Sequence, residues 1–138
     1  MSPKLLYAFS DVSTQGRLLR ILIIDVEYLV ALEAEQVLTD ATGCSVEIVM
    51  PRDAPDVLAT RTFDVILADA SLASGAAGAG LRRHHEAGGP IIFSSVNRGH
   101  LAGVPGFAGA AVISKPFDDE LLVTLVCNVA KKKKKKEG

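Results

Sequence analysis

The chain has few of the features that mark secreted, membrane-bound or metal-stapled proteins. Only two of its 138 residues are cysteine, Cys44 and Cys127, far apart and without a C-x-x-C pair or a paired histidine spacing. Such sparse usage argues against a disulfide framework or a zinc site and predicts buried free thiols in a reducing compartment. No stretch approaches the roughly 20 consecutive apolar residues that a bilayer-spanning helix needs. The apolar patch from Leu5 to Phe9 is too brief for the core of a signal peptide. A cytoplasmic protein with no membrane span is the expectation.

A basic surface is missing as well. The formal net charge is −1, but six of the 15 basic residues are Lys131 to Lys136. Up to Ala130 there are 9 basic against 15 acidic side chains, a balance of −6. Grooves that follow a phosphate backbone need clustered Lys and Arg, so no nucleic acid is expected on the body. A nucleotide loop is also absent. Gly75, Gly78 and Gly80 follow a strand with the spacing GxxGxG, neither the dinucleotide fingerprint nor a Walker loop. They are read as loop flexibility, no cofactor-binding residues are assigned, and a flavin- or nucleotide-binding enzyme is the outsider.

What remains is an ordinary globular composition, 49% hydrophobic, in a chain long enough for one domain with one core. After a polar connector from Asp11 to Gly16, two patterns alternate. Short apolar runs at Ile21–Ile24, Val65–Ala68, Pro90–Phe93 and Ala110–Ile113, with an alternating run at Cys44–Met50, read as five strands. Between them, Tyr28–Asp40 reads as a helix, with Val30, Ala34, Val37 and Leu38, and Ala41 just beyond, at helical spacing. Asp53-Ala54-Pro55-Asp56 reads as a helix start with Asp53 as its cap, and Ala76–Glu86 as a helix weakened by Gly78 and Gly80. A last helix begins near Asp118, with Leu122, Leu125, Val126 and Val129 on one face. The Gly- and Pro-rich link from Asn97 to Gly109 leaves room only for a short helix.

Strands alternating with helices predict an α/β fold, a parallel sheet covered on both faces. Right-handed crossovers favour the flavodoxin-like (βα)5 three-layer sandwich with its five-stranded parallel sheet in order 2-1-3-4-5. The domain is placed at residues 20–130, between an N-terminal extension (1–19) and a lysine-rich tail (131–138) read as unstructured and solvated. His84-His85, beside Arg82-Arg83, read as a solvated helix face rather than a catalytic pair.

In this sheet order ligands bind beyond the carboxyl ends of the strands. The first strand there runs into Asp25-Val26-Glu27, the third ends at Asp69, the fourth at Ser94-Ser95 and the fifth at Ser114-Lys115-Pro116. Two carboxylates, a hydroxyl and an ammonium on one rim suit phosphoryl chemistry. A carboxylate serves as nucleophile, a second acid helps hold a hard cation, and lysine and hydroxyl bind phosphoryl oxygens.

This set, read as "ILIIDVE", "FDVILAD", "PIIFSS" and "SKPF", resembles the receiver domain of two-component response regulators over roughly Arg20 to Ala130. The resemblance implies that Asp69 accepts a phosphoryl group from a histidine kinase or histidine phosphotransfer protein. It implies that Lys115 and Ser95 contact that group, and that Asp25 and Asp69 hold Mg2+. The acid that touches the metal directly in the family falls on Val26. Glu27, one residue on, is the alternative ligand, so metal binding is expected to be weak. A proline after the acceptor is also missing, and the aromatic switch position on the fifth strand falls on Val112.

The expected function is a stand-alone receiver without an output domain. It is not an enzyme beyond self-phosphorylation and dephosphorylation at Asp69. The alternative is a pseudo-receiver, a protein-binding module independent of phosphorylation.

Overall fold

The computed structural model describes residues 18–137, with side chains through Lys131. Five strands form one parallel sheet: β1 (Arg20–Ile24), β2 (Ser45–Val49), β3 (Val65–Asp69), β4 (Ile91–Ser95) and β5 (Ala111–Ser114). Their order is β2-β1-β3-β4-β5, the flavodoxin-like arrangement expected from the sequence. Four α-helices accompany them: α1 (Tyr28–Thr42), α2 (Ala54–Thr60), α3 (Gly78–Glu86) and α4 (Asp119–Glu137).

Apart from Arg20 at the start of β1 and Asp69 at the end of β3, both strands are runs of Ile, Leu, Val and Ala because both of their faces are covered. Alternate residues divide between two cores. Ile21, Ile23, Val65, Leu67, Ile92 and Ile113 pack with Ala31, Ala34 and Leu38 of α1 and with Leu122, Val123 and Val126 of α4. Leu22, Ile24, Ile66, Ala68, Ile91 and Phe93 pack with Ala54 at the start of α2, Leu81 of α3 and Phe107. The buried stripe of α1 runs through Ala31, Ala34, Leu38 and Ala41, so Val30 lies beside it and not at its centre.

No α-helix forms in the crossover between β4 and β5. A single 3-10 turn (Arg98–Ala102) is followed by a loop whose Val104 and Phe107 are buried against the sheet. Phe107 stacks edge-on against Phe93, with ring centroids 4.9 Å apart, and takes the place a helix would fill. Gly106, at φ +89°, supplies the left-handed conformation that brings Phe107 inward.

Several local expectations are corrected. Gly78 and Gly80 are not flexible loop residues, because both are buried in α3. A Cβ on Gly80 would lie 2.8 Å from Leu58 Cβ, so glycine is what lets α3 approach α2. His84 is not simply solvated: its Nε2 bonds the Pro90 carbonyl at 3.0 Å, while His85 packs against the Phe107 ring. Asp53 precedes α2 but makes no side-chain cap, since it closes the 3-10 turn Pro51–Asp53. The lysine run is the last part of α4 and not an unstructured tail. Lysine is a good helix former, and cations suit the carboxyl end of the helix dipole.

Cys44 and Cys127 are buried free thiols. Burial pushes both upward, Cys127 to about 11. Among the described residues no helix is long and apolar enough to cross a membrane.

Candidate functional site

Two facts of chain geometry assemble the site. Parallel pairing puts the carboxyl ends of all five strands on one rim, and alternation then selects which residues share a face there. Asp25 lies two residues after Ile23, Asp69 two after Leu67, Ser94 two after Ile92, and Lys115 two after Ile113. Each continues the face that packs on α1 and α4, so residues up to 90 positions apart converge.

Lys115 Nζ is the centre of the cluster. It donates to Asp69 Oδ2 at 2.5 Å and to Asp25 Oδ2 and Oδ1 at 3.1 and 3.3 Å. The Lys115, Asp25 and Asp69 side chains are only 6%, 3% and 12% exposed, so solvent screens these pairs weakly. Burial pushes the Asp69 carboxyl up, but the bonds from Lys115 and Ser71 outweigh it and hold the group below its ordinary value. Burial likewise pushes Lys115 down, and the two carboxylates more than reverse that, leaving it raised. Asp69 and Lys115 are therefore both charged at neutral pH, and the Lys115 ammonium bridges the Asp25 and Asp69 side chains.

Each acid is also held by its own backbone. Asp25 Oδ1 accepts the Glu27 N–H at 2.9 Å, which fixes the turn from β1 into α1. Asp69 Oδ1 accepts both the Ser71 N–H at 2.9 Å and the Ser71 hydroxyl at 2.6 Å. Ser71 is a site residue missing from the sequence reading, although Asp-x-Ser after a strand is a recognisable turn signal.

The fourth expected member stands apart. Ser95 Oγ faces its own turn: it accepts the Asn97 N–H at 2.9 Å and lies 2.6 Å from His100 Nδ1. Its link to the pocket is through the backbone, where the Ser95 carbonyl accepts the Lys115 N–H at 2.9 Å. Ser94 is the hydroxyl in register with Asp69, and it is buried without a partner among the described residues. Thus Asp25, Asp69 and Lys115 meet in one cluster, and the Ser95 hydroxyl does not join them.

The oxygen donors bear on Mg2+. Val26 is 52% exposed and offers none, Glu27 is exposed, and no group of three or more potential ligands occurs among the described residues. Two carboxylates are a small donor set, with which a Mg2+ ion would have to keep most of its shell as water.

Neither a protein-family model nor a curated protein sequence matches the chain. Solved structures do. A response regulator receiver protein from Sinorhizobium medicae superposes with a TM-score of 0.71 at 24% identity, over 85% of this chain and 98% of its own. A CheY-like receiver domain protein from Methanospirillum hungatei gives 0.71 at 22% identity, over 88% and 100%. The receiver domain of Francisella response regulator 1452 gives 0.67 at 18%, over 82% and 97%. At such identities the likeness carries the architecture alone, and it is consistent across all three: this chain has the fold of a response regulator receiver domain.

Proposed function

We propose that the chain is a receiver that accepts a phosphoryl group on Asp69 from a histidine kinase or histidine phosphotransfer protein. The observation that carries this reading is Lys115 Nζ bonded to Asp69 and Asp25 together, all three side chains buried, at the rim of the sheet. An Asp69 carboxylate oxygen attacks phosphorus, the bond from phosphorus to the donor breaks, and the donor leaves with that electron pair. The acceptor's depressed titration keeps it ionised, as a nucleophile must be. Lys115 is already positioned to move its ammonium from the carboxylates to the phosphoryl oxygens as charge shifts onto them. Asp25 and Asp69 would hold Mg2+, which adds positive charge against those same oxygens. The protein is no enzyme toward other substrates in this reading.

Incubation with acetyl phosphate and Mg2+, followed by intact-mass measurement, tests it. One phosphoryl adduct is expected, and Asp69→Ala should lack it. Absence of an adduct at every metal concentration removes the claim.

A second reading is favoured by one observation, the exposed Val26 where a further acid would complete the metal site. As a pseudo-receiver the chain would bind its protein partner with Asp69 unmodified, and Asp69→Ala would leave that binding intact.

A further inference from the structure

Among the described residues, the β4–β5 crossover holds the one bond that ties the Ser95 side chain to another side chain. His100 sits on the 3-10 turn Arg98–Ala102, fixed at both ends: its N–H donates to the Asn97 carbonyl at 3.0 Å and its carbonyl accepts the Gly103 N–H at 2.9 Å. The Asn97 side chain stiffens the same turn by accepting the Gly99 N–H at 2.8 Å. From this frame His100 Nδ1 meets Ser95 Oγ at 2.6 Å. The hydroxyl is occupied in either tautomer. With Nδ1 as acceptor, His100 takes the only Ser95 proton. With Nδ1–H as donor, the oxygen carries two donors and its proton has only the Asn97 carbonyl, 3.4 Å away, inside the same turn.

We propose that His100 is a positioning residue that holds the Ser95 hydroxyl in the crossover turn and away from Asp69, slowing phosphoryl transfer to that acid. The inference rests on the reading of Asp69 as acceptor and adds a regulator to it. Ser95 has one O–H to give. While it stays in the turn, a phosphoryl group on Asp69 is stabilised by Lys115 without it. The arrangement also has a route to the pocket, since the Ser95 carbonyl holds the Lys115 N–H and Lys115 Nζ holds Asp69. Any partner that draws His100 outward frees the hydroxyl to turn toward the rim. His100 lies in a partly exposed turn beside the exposed Leu101, so such a contact needs no opening of the core.

The test compares wild type, His100→Ala, His100→Asn, Ser95→Ala and the double variant His100→Ala/Ser95→Ala, with acetyl phosphate as phosphoryl donor and intact mass as readout. His100→Ala should form the adduct about tenfold faster, the effect of one hydrogen bond to a charged acceptor. His100→Asn, whose amide can still reach Oγ, should return toward wild type, and the gain should vanish when Ser95 is also alanine. Equal rates in wild type and His100→Ala overturn the proposal, as does a gain that survives without Ser95. If neither wild type nor His100→Ala forms an adduct, the acceptor reading fails, and the bond itself is then decided without phosphorylation. Ring-nitrogen NMR gives an independent readout without phosphorylation: Ser95→Ala should move the His100 Nδ1 signal and leave those of His84 and His85 in place. An unmoved Nδ1 signal overturns the bond on which the proposal stands.

Discussion

Replacing Lys115 with methionine removes an ammonium and keeps most of the volume of its stem, which isolates the charge from the packing. In the native pocket that ammonium is bonded to two acids whose side chains are 3% and 12% exposed. Its loss leaves the two acids with no internal cation. Removing one partner of a buried ion pair costs about 3–5 kcal/mol, mostly because the remaining charge is stranded. Asp25 and Asp69 keep the N–H donors of Glu27 and Ser71, which partly support them and place the expected loss near the lower figure, about 3 kcal/mol. That is a large share of the ~5–15 kcal/mol that holds a domain together.

The sign of the pH dependence follows from the two shifts. Asp69 titrates below its ordinary value of 3.8, so its contribution is present above that value and is lost as pH falls through the depressed one. Lys115 titrates above 10.5, so its contribution is present below that value and is lost as pH rises through the raised one. The gap between wild type and Lys115→Met should therefore be widest between about pH 4 and 10 and should shrink as pH falls below the ordinary carboxylate value, where the Asp69 contribution is lost. Urea unfolding of both proteins across this range measures it. A gap below about 1 kcal/mol at neutral pH, or one undiminished at pH 3, would refute the account of Lys115 as the internal counter-ion.

Three other perturbations probe separate parts of the structure. Val26→Asp supplies a third carboxylate beside Asp25 and should tighten Mg2+ binding by about tenfold or more, or ~1.4 kcal/mol; an unchanged affinity in a calorimetric titration would show that position 26 does not face the ion. Gly80→Ala gains roughly 1 kcal/mol of helix propensity but places a methyl 2.8 Å from Leu58 Cβ, an overpacking that costs about 1–3 kcal/mol. The net expectation is a lowered melting temperature, and a rise would mean that α2 and α3 separate without cost. Ser94→Ala removes a buried hydroxyl with no partner among the described residues and should stabilise by up to about 1 kcal/mol in thermal unfolding. A clear loss there would reveal a partner for that oxygen.

The fold was legible because its signals are local and repeated. The apolar runs of β1 and β3 say that both faces are buried, and the spacing in α1 and α4 says which faces bury them. A parallel sheet with short links leaves few topologies, and among those the ligand rim is fixed by rule. Asp25, Asp69 and Lys115 could therefore be grouped from the string alone, since each ends an apolar run and the sheet brings such ends together. The choice between Ser94 and Ser95 could not be made so simply. It depends on the residue at which β4 stops alternating and starts to turn, and a shift of one residue exchanges the faces. The structure gives Ser94 the register of Asp69 and gives Ser95 to the turn.

What stayed hidden shares one physical cause: a contact whose partner is set by tertiary packing and not by spacing. Gly80 looks like a flexible residue until Leu58, 22 positions earlier, is seen against it. His84 looks solvated until the link from α3 into β4 brings the Pro90 carbonyl within bonding distance of its Nε2. His100 is a lone histidine in a glycine-rich link, and nothing in that composition says that one 3-10 turn will bring it onto Ser95. Ser71 is the instructive contrast, since its partner Asp69 is only two residues away and the turn signal was there to be read. Local chemistry thus locates an acidic rim, while the His100 contact beside it is found where the chain departs from the regular pattern. In this protein that departure is the crossover without an α-helix. A regular helix there would have to begin close after Ser95 and would carry its side chains along an axis. The short turn instead closes back on the strand end, and that closure is what sets His100 against the Ser95 hydroxyl.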